Sequence, residues 1–261
     1  MLELTNVSKT FLKGTLDEKK ALDDISLTIE EGEFVTLIGG NGSGKSTLMN
    51  TLCGVFPPDE GTIEIDGVDV TKLTEHKRAQ YIGRVFQDPM MGTAKDMSII
   101  ENLEIAYRRG KRNTLAWNFK KANRALFIEE LAKFNLGLET RLTQKVGLLS
   151  GGQRQVLTLL MATLQRPKFL LLDEHTAALD PKTSRIVMEM TDQIVRENNL
   201  TTLMITHNMK DAIKYGNRLI MINGGHIIMD VKGEEKAKLT ADDIVKKFSE
   251  STDEIMDTKL F

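Results

Sequence analysis

One cysteine in 261 residues, Cys53, leaves no partner for an internal disulfide and fits a chain that works in a reducing compartment. Charge of neither sign dominates: the formal net charge is −2, so no global basic field argues for nucleic acid as a partner. Long apolar runs are missing as well. The longest largely apolar stretch, Val156 to Leu164, falls far short of the ~20 residues that a membrane-spanning helix needs. The N-terminus, Met1-Leu2-Glu3-Leu4-Thr5, has neither the basic region nor the apolar segment of a secretory leader. Together these absences predict a soluble chain that meets any membrane through a partner. Core-forming material is plentiful: 41% of residues are hydrophobic, enough at this length for one large domain or a domain with a sizeable insertion.

The most informative stretch runs from Phe34-Val35-Thr36-Leu37-Ile38 through Gly39-Gly40-Asn41-Gly42-Ser43-Gly44-Lys45-Ser46-Thr47 to Leu52-Cys53-Gly54. It reads as a buried strand, a glycine-rich turn and a helix that Gly54 can end. Gly39, Gly44, Lys45 and Ser46 match the phosphate-binding pattern G-x-x-x-x-G-K-[ST], which chance alone places in about one chain in a hundred of this length. Gly39, Gly42 and Gly44 permit backbone turns closed to other residues, so that successive N–H groups, those of Asn41 and Ser43 among them, line one concavity. The helix start adds free N–H groups and partial positive charge. In such a loop Lys45 reaches the β- and γ-phosphates, the Ser46 hydroxyl is a ligand of Mg²⁺, and Thr47 lies towards the α-phosphate. Cys53, on the helix after the loop, reads as a small buried side chain.

The remaining segments place this loop in a larger plan. Residues 1 to 33 alternate as strands do, in Leu2-Glu3-Leu4 and Ile25-Ser26-Leu27-Thr28-Ile29, with a charged turn from Lys13 to Lys20 between them. Phe11, just before that turn, is either core or a platform for a nucleotide base. After Pro57-Pro58-Asp59-Glu60-Gly61, the run Thr62 to Val68 predicts half of a small antiparallel hairpin. Tyr81 to Phe86 predicts a short strand ending at Gln87. Residues 90 to 149 change to helical spacing, at Ile99, Ile100, Leu103 and Ile105 and again at Leu115, Phe119, Ala122, Leu126, Ile128 and Leu131, which predicts a helical insertion. Between Arg108 and Arg124 this insertion carries Arg108, Arg109, Lys111, Arg112, Lys120, Lys121 and Arg124 around Trp117, with no acid among them. That face is either simply solvated or turned towards anionic lipid or an acidic partner.

Leu149-Ser150-Gly151-Gly152-Gln153 precedes an apolar helix, and Ser150 at its N-cap followed by two glycines forms a second anion-binding device. These five residues arise by chance in fewer than about one chain in a thousand. They are the signature pentapeptide of the nucleotide-binding subunits of ABC transporters, which this sequence resembles over nearly its whole length. The resemblance implies an α/β fold: a P-loop NTPase core with a mostly parallel sheet flanked by helices, an N-terminal antiparallel β subdomain and a helical insertion. As one domain, residues 1–87 and 150–248 would form the core, 88–149 the insertion and 249–261 a fraying tail after a short helix from Ala241 to Phe248.

The other motifs follow in the order that the resemblance implies. Phe169-Leu170-Leu171-Leu172 leads into Asp173, which resembles the aspartate that holds Mg²⁺, and Glu174, which resembles the general base for the attacking water. Ala177-Ala178-Leu179-Asp180 matches the D-loop, with Pro181 opening the next helix. Thr201 to Thr206 forms a strand before His207, the family's γ-phosphate histidine. Gln87 becomes the Q-loop glutamine, a hinge and magnesium contact, and Phe11 the residue stacked on adenine. One departure is His175, where the family usually has proline. Either it hydrogen-bonds near the site or it lies in the loop, the plainer reading. With Leu149 to Lys182 it suggests ATPases paired with a permease and a binding protein for aromatic or related amino acids. The implied partners are two copies of this chain, an integral-membrane permease at the cytoplasmic face of the cell membrane and a substrate-binding protein, with ATP and Mg²⁺ as ligands. ATP would lie between the P-loop of one copy and Ser150, Gly151, Gly152 and Gln153 of the other. The non-transport ATPases of the same superfamily, as in iron–sulfur assembly, share these motifs and are the alternative. A P-loop phosphotransferase would not need Leu149 to Gln153.

Overall fold

The computed structural model describes the backbone of residues 1–110 and 121–258, and the side chains of 1–110 and 123–250. Ten strands and nine α-helices follow in chain order among these residues: β1 (Leu2–Phe11), β2 (Lys19–Ile29), β3 (Phe34–Ile38), α1 (Lys45–Cys53), β4 (Glu60–Ile65), β5 (Val68–Asp69), α2 (Glu75–Arg78), β6 (Ile82–Val85), α3 (Ile99–Tyr107), α4 (Lys121–Ala132), α5 (Gly151–Thr163), β7 (Phe169–Asp173), α6 (Pro181–Glu197), β8 (Thr202–Ile205), α7 (Met209–Lys214), β9 (Arg218–Asn223), β10 (His226–Lys232), α8 (Gly233–Lys238) and α9 (Ala241–Thr258).

The larger sheet has the order β10-β9-β3-β8-β7-β6. Every pairing from β9 to β6 is parallel, and only β10 runs against its neighbour. Such a sheet must be covered on both faces, and its strands show how. Phe169, Leu171, Leu203 and Ile205 point into one core, which also holds Leu48, Met49, Leu52 and Cys53 of α1. Leu170, Leu172 and Met204, one residue out of step, pack on the other face with Leu159 of α5 and Met188 and Val195 of α6. Two-residue alternation thus sorts an unbroken apolar run onto two buried faces.

The smaller sheet, β2-β1-β4-β5, is antiparallel throughout. Leu2 stands opposite both Ile29 and Ile65, and these residues share the core that α1 enters. The predicted hairpin is β4 and β5, turning at Asp66-Gly67. Cys53 is buried in this core, and burial pushes its thiol up to about 11, which leaves little thiolate to react.

A third core holds the helical segment. Ile99 and Leu103 of α3, Phe127 and Leu131 of α4, and Leu142 and Val146 from the connecting turns pack on Val156, Leu157 and Leu160 of α5. The insertion therefore shares its core with the helix after Ser150. Ile105 departs from the expected apolar face and is 56% exposed. It lies two residues beyond Leu103, so a helix turns it to the opposite side. Ile128, a quarter-turn round from Phe127, lies at the margin of the buried face and is 37% exposed. Lys111, Arg112, Leu115, Trp117, Phe119 and Lys120 lie outside the described residues.

The C-terminal helix corrects an expectation. α9 does not stop at Phe248 but continues to Thr258, where a fraying tail was expected. It starts on a reciprocal cap, in which Thr240 N donates to the Asp243 carboxylate and Asp243 N to the Thr240 hydroxyl, at 2.9 and 3.3 Å. Ile244 is fully buried, and Phe248 packs on the same cluster of Ile38, Leu219 and Met221. Ile255 continues that spacing in sequence, so the apolar stripe did not end at Phe248.

Candidate active site

Parallel strands all run one way, so their C-terminal ends share one edge, the place where open α/β sheets bind ligands. The register does this here. Leu37 pairs with Ile205 and Asp173 with Ile205, while Val85 pairs with Leu172. The residues that follow these positions are Gly39 to Thr47 after β3, Glu174 after β7, His207 after β8 and Gln87 after β6. All four groups named from the sequence emerge along one edge.

The loop after β3 has the expected form. Gly42 and Gly44 take positive φ, and Gly44, at φ 113, opens α1 as its N-cap. A Cβ on Gly44 would lie 2.6 Å from the Ala21 carbonyl, and one on Gly39 would lie 2.2 Å from the Ile222 carbonyl. The β9–β10 turn locks the loop from outside through Gly225 N donating to Ser43 O at 2.9 Å. Lys45 Nζ folds back and donates to Gly39 O and Gly40 O at 2.8 and 2.9 Å. Burial pushes the Lys45 ammonium below its ordinary range, opposed by the charge of Glu174, so the cradle and that carboxylate lie within electrostatic reach. Ser43 Oγ is buried without a hydrogen-bond partner, which is costly unless an anion completes it. Gly39→Ala is expected to lower stability by about 1–3 kcal/mol, because backbone at the contact cannot yield as a side chain would. An unchanged urea midpoint would contradict this.

A cavity of about 240 Å³ opens over this loop, lined by Phe11, Lys19, Ala21, Gly42, Ser43, Gly44, Lys45, Ser46 and Thr47. Phe11 meets Phe56 edge-on, with ring centroids 5.3 Å apart. It is half-buried, so one part of the ring is packed and the rest borders the cavity. Asn41 and Ser46 are exposed. Lys19, which the sequence presented only as part of a charged turn, borders the same space.

At the end of β7 the two carboxylates diverge. Asp173 Oδ2 lies 3.1 Å from Arg84 Nη2, and Arg84 Nη1 donates to Asn50 Oδ1 at 3.1 Å. Arg84 also stacks on Phe86 at 4.5 Å. A charged residue inside the apolar strand Tyr81 to Phe86 was the sequence signal for this partner. Glu174 has φ +44, a left-handed conformation that costs about 1–3 kcal/mol for a residue of this kind and persists where its surroundings enforce it. Its N–H donates to Ile205 O at 3.1 Å, and its Oε2 lies 3.2 Å from His207 Nδ1. His207 is otherwise largely exposed, facing out of the edge, as is Gln87.

His175 lies in the loop after β7, as the plainer reading has it, but its side chain is not solvated. It is 2% exposed and turns away from the Glu174 carboxylate, so that its Nε2 lies 3.0 Å from Thr191 Oγ1 on α6. Burial pushes the imidazole down to about 4, which keeps it neutral. Neither periodicity nor a motif could signal this, since Thr191 is sixteen residues along the chain.

The glycine-rich start of α5 stands apart. Ser150 caps α5: Gln153 N donates to Ser150 Oγ and Ser150 N to Gln153 Oε1, both at 3.3 Å. Gly151 is exposed and Gly152 is packed against Thr183. Asp180 caps α6 by accepting from Lys182 N and Thr183 N, and this hydrogen bonding holds its carboxyl below the usual range. The cavity over the phosphate loop includes none of residues 150–153. Residues 150–153 therefore do not border that cavity within one chain.

A phosphate loop and two strand-end carboxylates on one sheet edge, together with a separate glycine-rich helix cap, define a P-loop ATPase of the ATP-binding cassette class. The chain belongs to the ABC transporter family, whose model matches residues 22–177, and it hydrolyses ATP as a transporter ATPase. It is 48% identical over 251 residues to the tyrosine transport ATP-binding protein of Clostridioides difficile, covering 95% of this chain and 98% of that one. With the methionine import ATP-binding protein MetN 2 of Enterococcus faecalis it shares 36% identity, covering all of this chain and 74% of the relative. Among solved structures, the ADP conformation of the ABC transporter cassette MJ1267 matches with a TM-score of 0.78 at 28% identity, over 95% of this chain and 98% of that one. The dimeric structure of the cassette MJ0796 matches with a TM-score of 0.73 at 30% identity, over 89% and 98%. No helix among the described residues is long and apolar enough to cross a membrane.

Proposed function

We propose that two copies of this chain close head to tail around two ATP molecules and so drive a membrane permease that imports an amino acid or a related small solute. The observation that carries this reading is the separation of the two anion devices. A cap built by Ser150 and Gln153, with two glycines offering free N–H groups, lies outside the cavity over the phosphate loop. It has an anion to bind only when another copy presents one. The tyrosine and methionine relatives and the dimeric cassette support the solute class and the pairing.

Within this reading each side chain has a role that its position allows. Gly39, Asn41, Gly42, Ser43 and Gly44 present the cradle, Lys45 takes the β- and γ-phosphates, Thr47 the α-phosphate, and Phe11 borders the base. The buried, unpartnered Ser43 Oγ and the exposed Ser46 hydroxyl fit a triphosphate and its cation. Ser46, Gln87 and Asp173 are an all-oxygen set suited to Mg²⁺, which when bound offsets phosphate charge. Glu174 accepts the proton of the attacking water, and His207, on the Glu174 carboxylate at 3.2 Å, orients it and reaches the γ-phosphate. Asp180, at the start of α6, joins the contact between copies. Residues 88–149 form the arm towards the permease and Gln87 its hinge, with the permease at the cytoplasmic face and a substrate-binding protein beyond it.

Complementation tests the pairing. Lys45→Ala and Ser150→Arg are each expected to abolish turnover. Mixed in equal amounts, the two variants recover about one quarter of wild-type activity, since half of the two-fold pairs regain one intact site. A mixture no more active than its components would overturn the head-to-tail arrangement.

A further inference from the structure

We propose that His175 is a positioning residue for Glu174, its imidazole anchoring the turn that carries this carboxylate to the middle of α6 through Thr191. This rests on the reading of Glu174 as the general base.

The hydrogen-bond directions can be assigned. Thr191 has one hydroxyl proton, and Thr191 Oγ1 donates it to Val187 O at 2.8 Å. The contact of 3.0 Å with His175 must then run the other way, with Nε2–H donating to Thr191 Oγ1. Thr191 is fully buried, so no water competes for either partner. The side chains of Glu174 and His175 point in opposite directions along the chain, one to His207 and the other to α6. Around them the Glu174 backbone is held by Ile205 O on one side and by Ala177 N, which donates to Glu174 O at 2.9 Å, on the other.

Packing alone does not complete this grip. A cavity of about 220 Å³ lies beside the turn, bordered by Glu174, His175, Thr176, Met188, His207 and Asp211 among others. A turn with open space at its flank can shift, and a left-handed Glu174 would relax if it did. The anchor also spans distance. Thr191 lies ten residues into α6 from Pro181, about 15 Å along the axis, whereas Asp180 grips the other end of the same turn at the helix start. The turn is thus tied to α6 at two separated points.

Steady-state kinetics of the full-length protein test this with His175→Phe, which keeps bulk without the donor, Thr191→Val, which keeps shape without the acceptor, and His175→Gln, which returns an N–H near Nε2. His175→Phe and Thr191→Val are each expected to lower kcat about tenfold with KM for MgATP within about twofold, since a misplaced reacting group costs rate and not binding. The double variant is expected to be no slower than the slower single one, as for two halves of one interaction. His175→Gln is expected to recover kcat to within about threefold of wild type. Full kcat in Thr191→Val, additive losses in the double variant, or no recovery with Gln would overturn the proposal. Thr191→Val decides the matter if the Phe variant does not fold. Glu174→Gln run alongside separates the two readings. Turnover in that variant refutes the base itself, whereas its loss beside a fully active Thr191→Val refutes only the anchor.

Discussion

Glu174→Gln is expected to lower steady-state ATP turnover at least about a hundredfold, the lower bound for removing a general base. The substitution preserves the shape of the side chain and its reach to His207 Nδ1, now 3.2 Å from Oε2, but an amide cannot accept the water's proton. Lys45 and the cradle after β3 are untouched, so ATP binding is retained. On the proposed pairing, cleavage is what releases the two copies, so sedimentation or size-exclusion in MgATP is expected to show a dimer that outlasts that of the wild type. Turnover within a few fold of wild type would remove Glu174 from the chemistry.

Lys45→Ala is expected to weaken ATP binding by about a hundredfold, the loss of charge-assisted bonds to an anion from a buried cation. Lys45 is 9% exposed, and its ammonium is held over the loop by Gly39 O and Gly40 O. Without it those two carbonyls face the triphosphate, and like partial charges replace attraction. Titration with a fluorescent ATP analogue measures the change. The melting temperature without nucleotide should hardly fall, since burial already disfavours the charged form. Unchanged affinity would mean that the phosphates sit elsewhere.

The two substitutions separate binding from chemistry along one sheet edge, and the parts of that edge were unequally visible beforehand. The strand–loop–helix around Lys45 could be read because glycine and lysine at fixed spacing have a local cause. The same holds for the Ser150 cap, where a capping box needs only residues three apart. Gln87 was a bare polar strand end until its neighbours were known, and its position follows from the pairing of β6 with β7. Arg84 carries a weaker signal: a guanidinium in a short apolar strand asks for a partner without naming it, and Asp173 is that partner at 3.1 Å. The sequence reading ends α9 at Phe248 and the structure at Thr258, because the polar residues after Phe248 mask the continuing helix.

The linear order of residues was sufficient for several features whose cause is local: two-residue alternation in the buried strands, glycine at the loop after β3 and Pro181 opening a helix. Only the folded chain decided which strand ends share an edge, that His175 turns to Thr191 and leaves Glu174 to His207, and that the Ser150 cap stands clear of the cavity over the phosphate loop. The reason is physical. Local features depend on neighbours within a turn or two of backbone. The site depends on parallel pairings between residues as far apart as Leu37 and Ile205, and burial of both sheet faces, not any motif, selects those pairings.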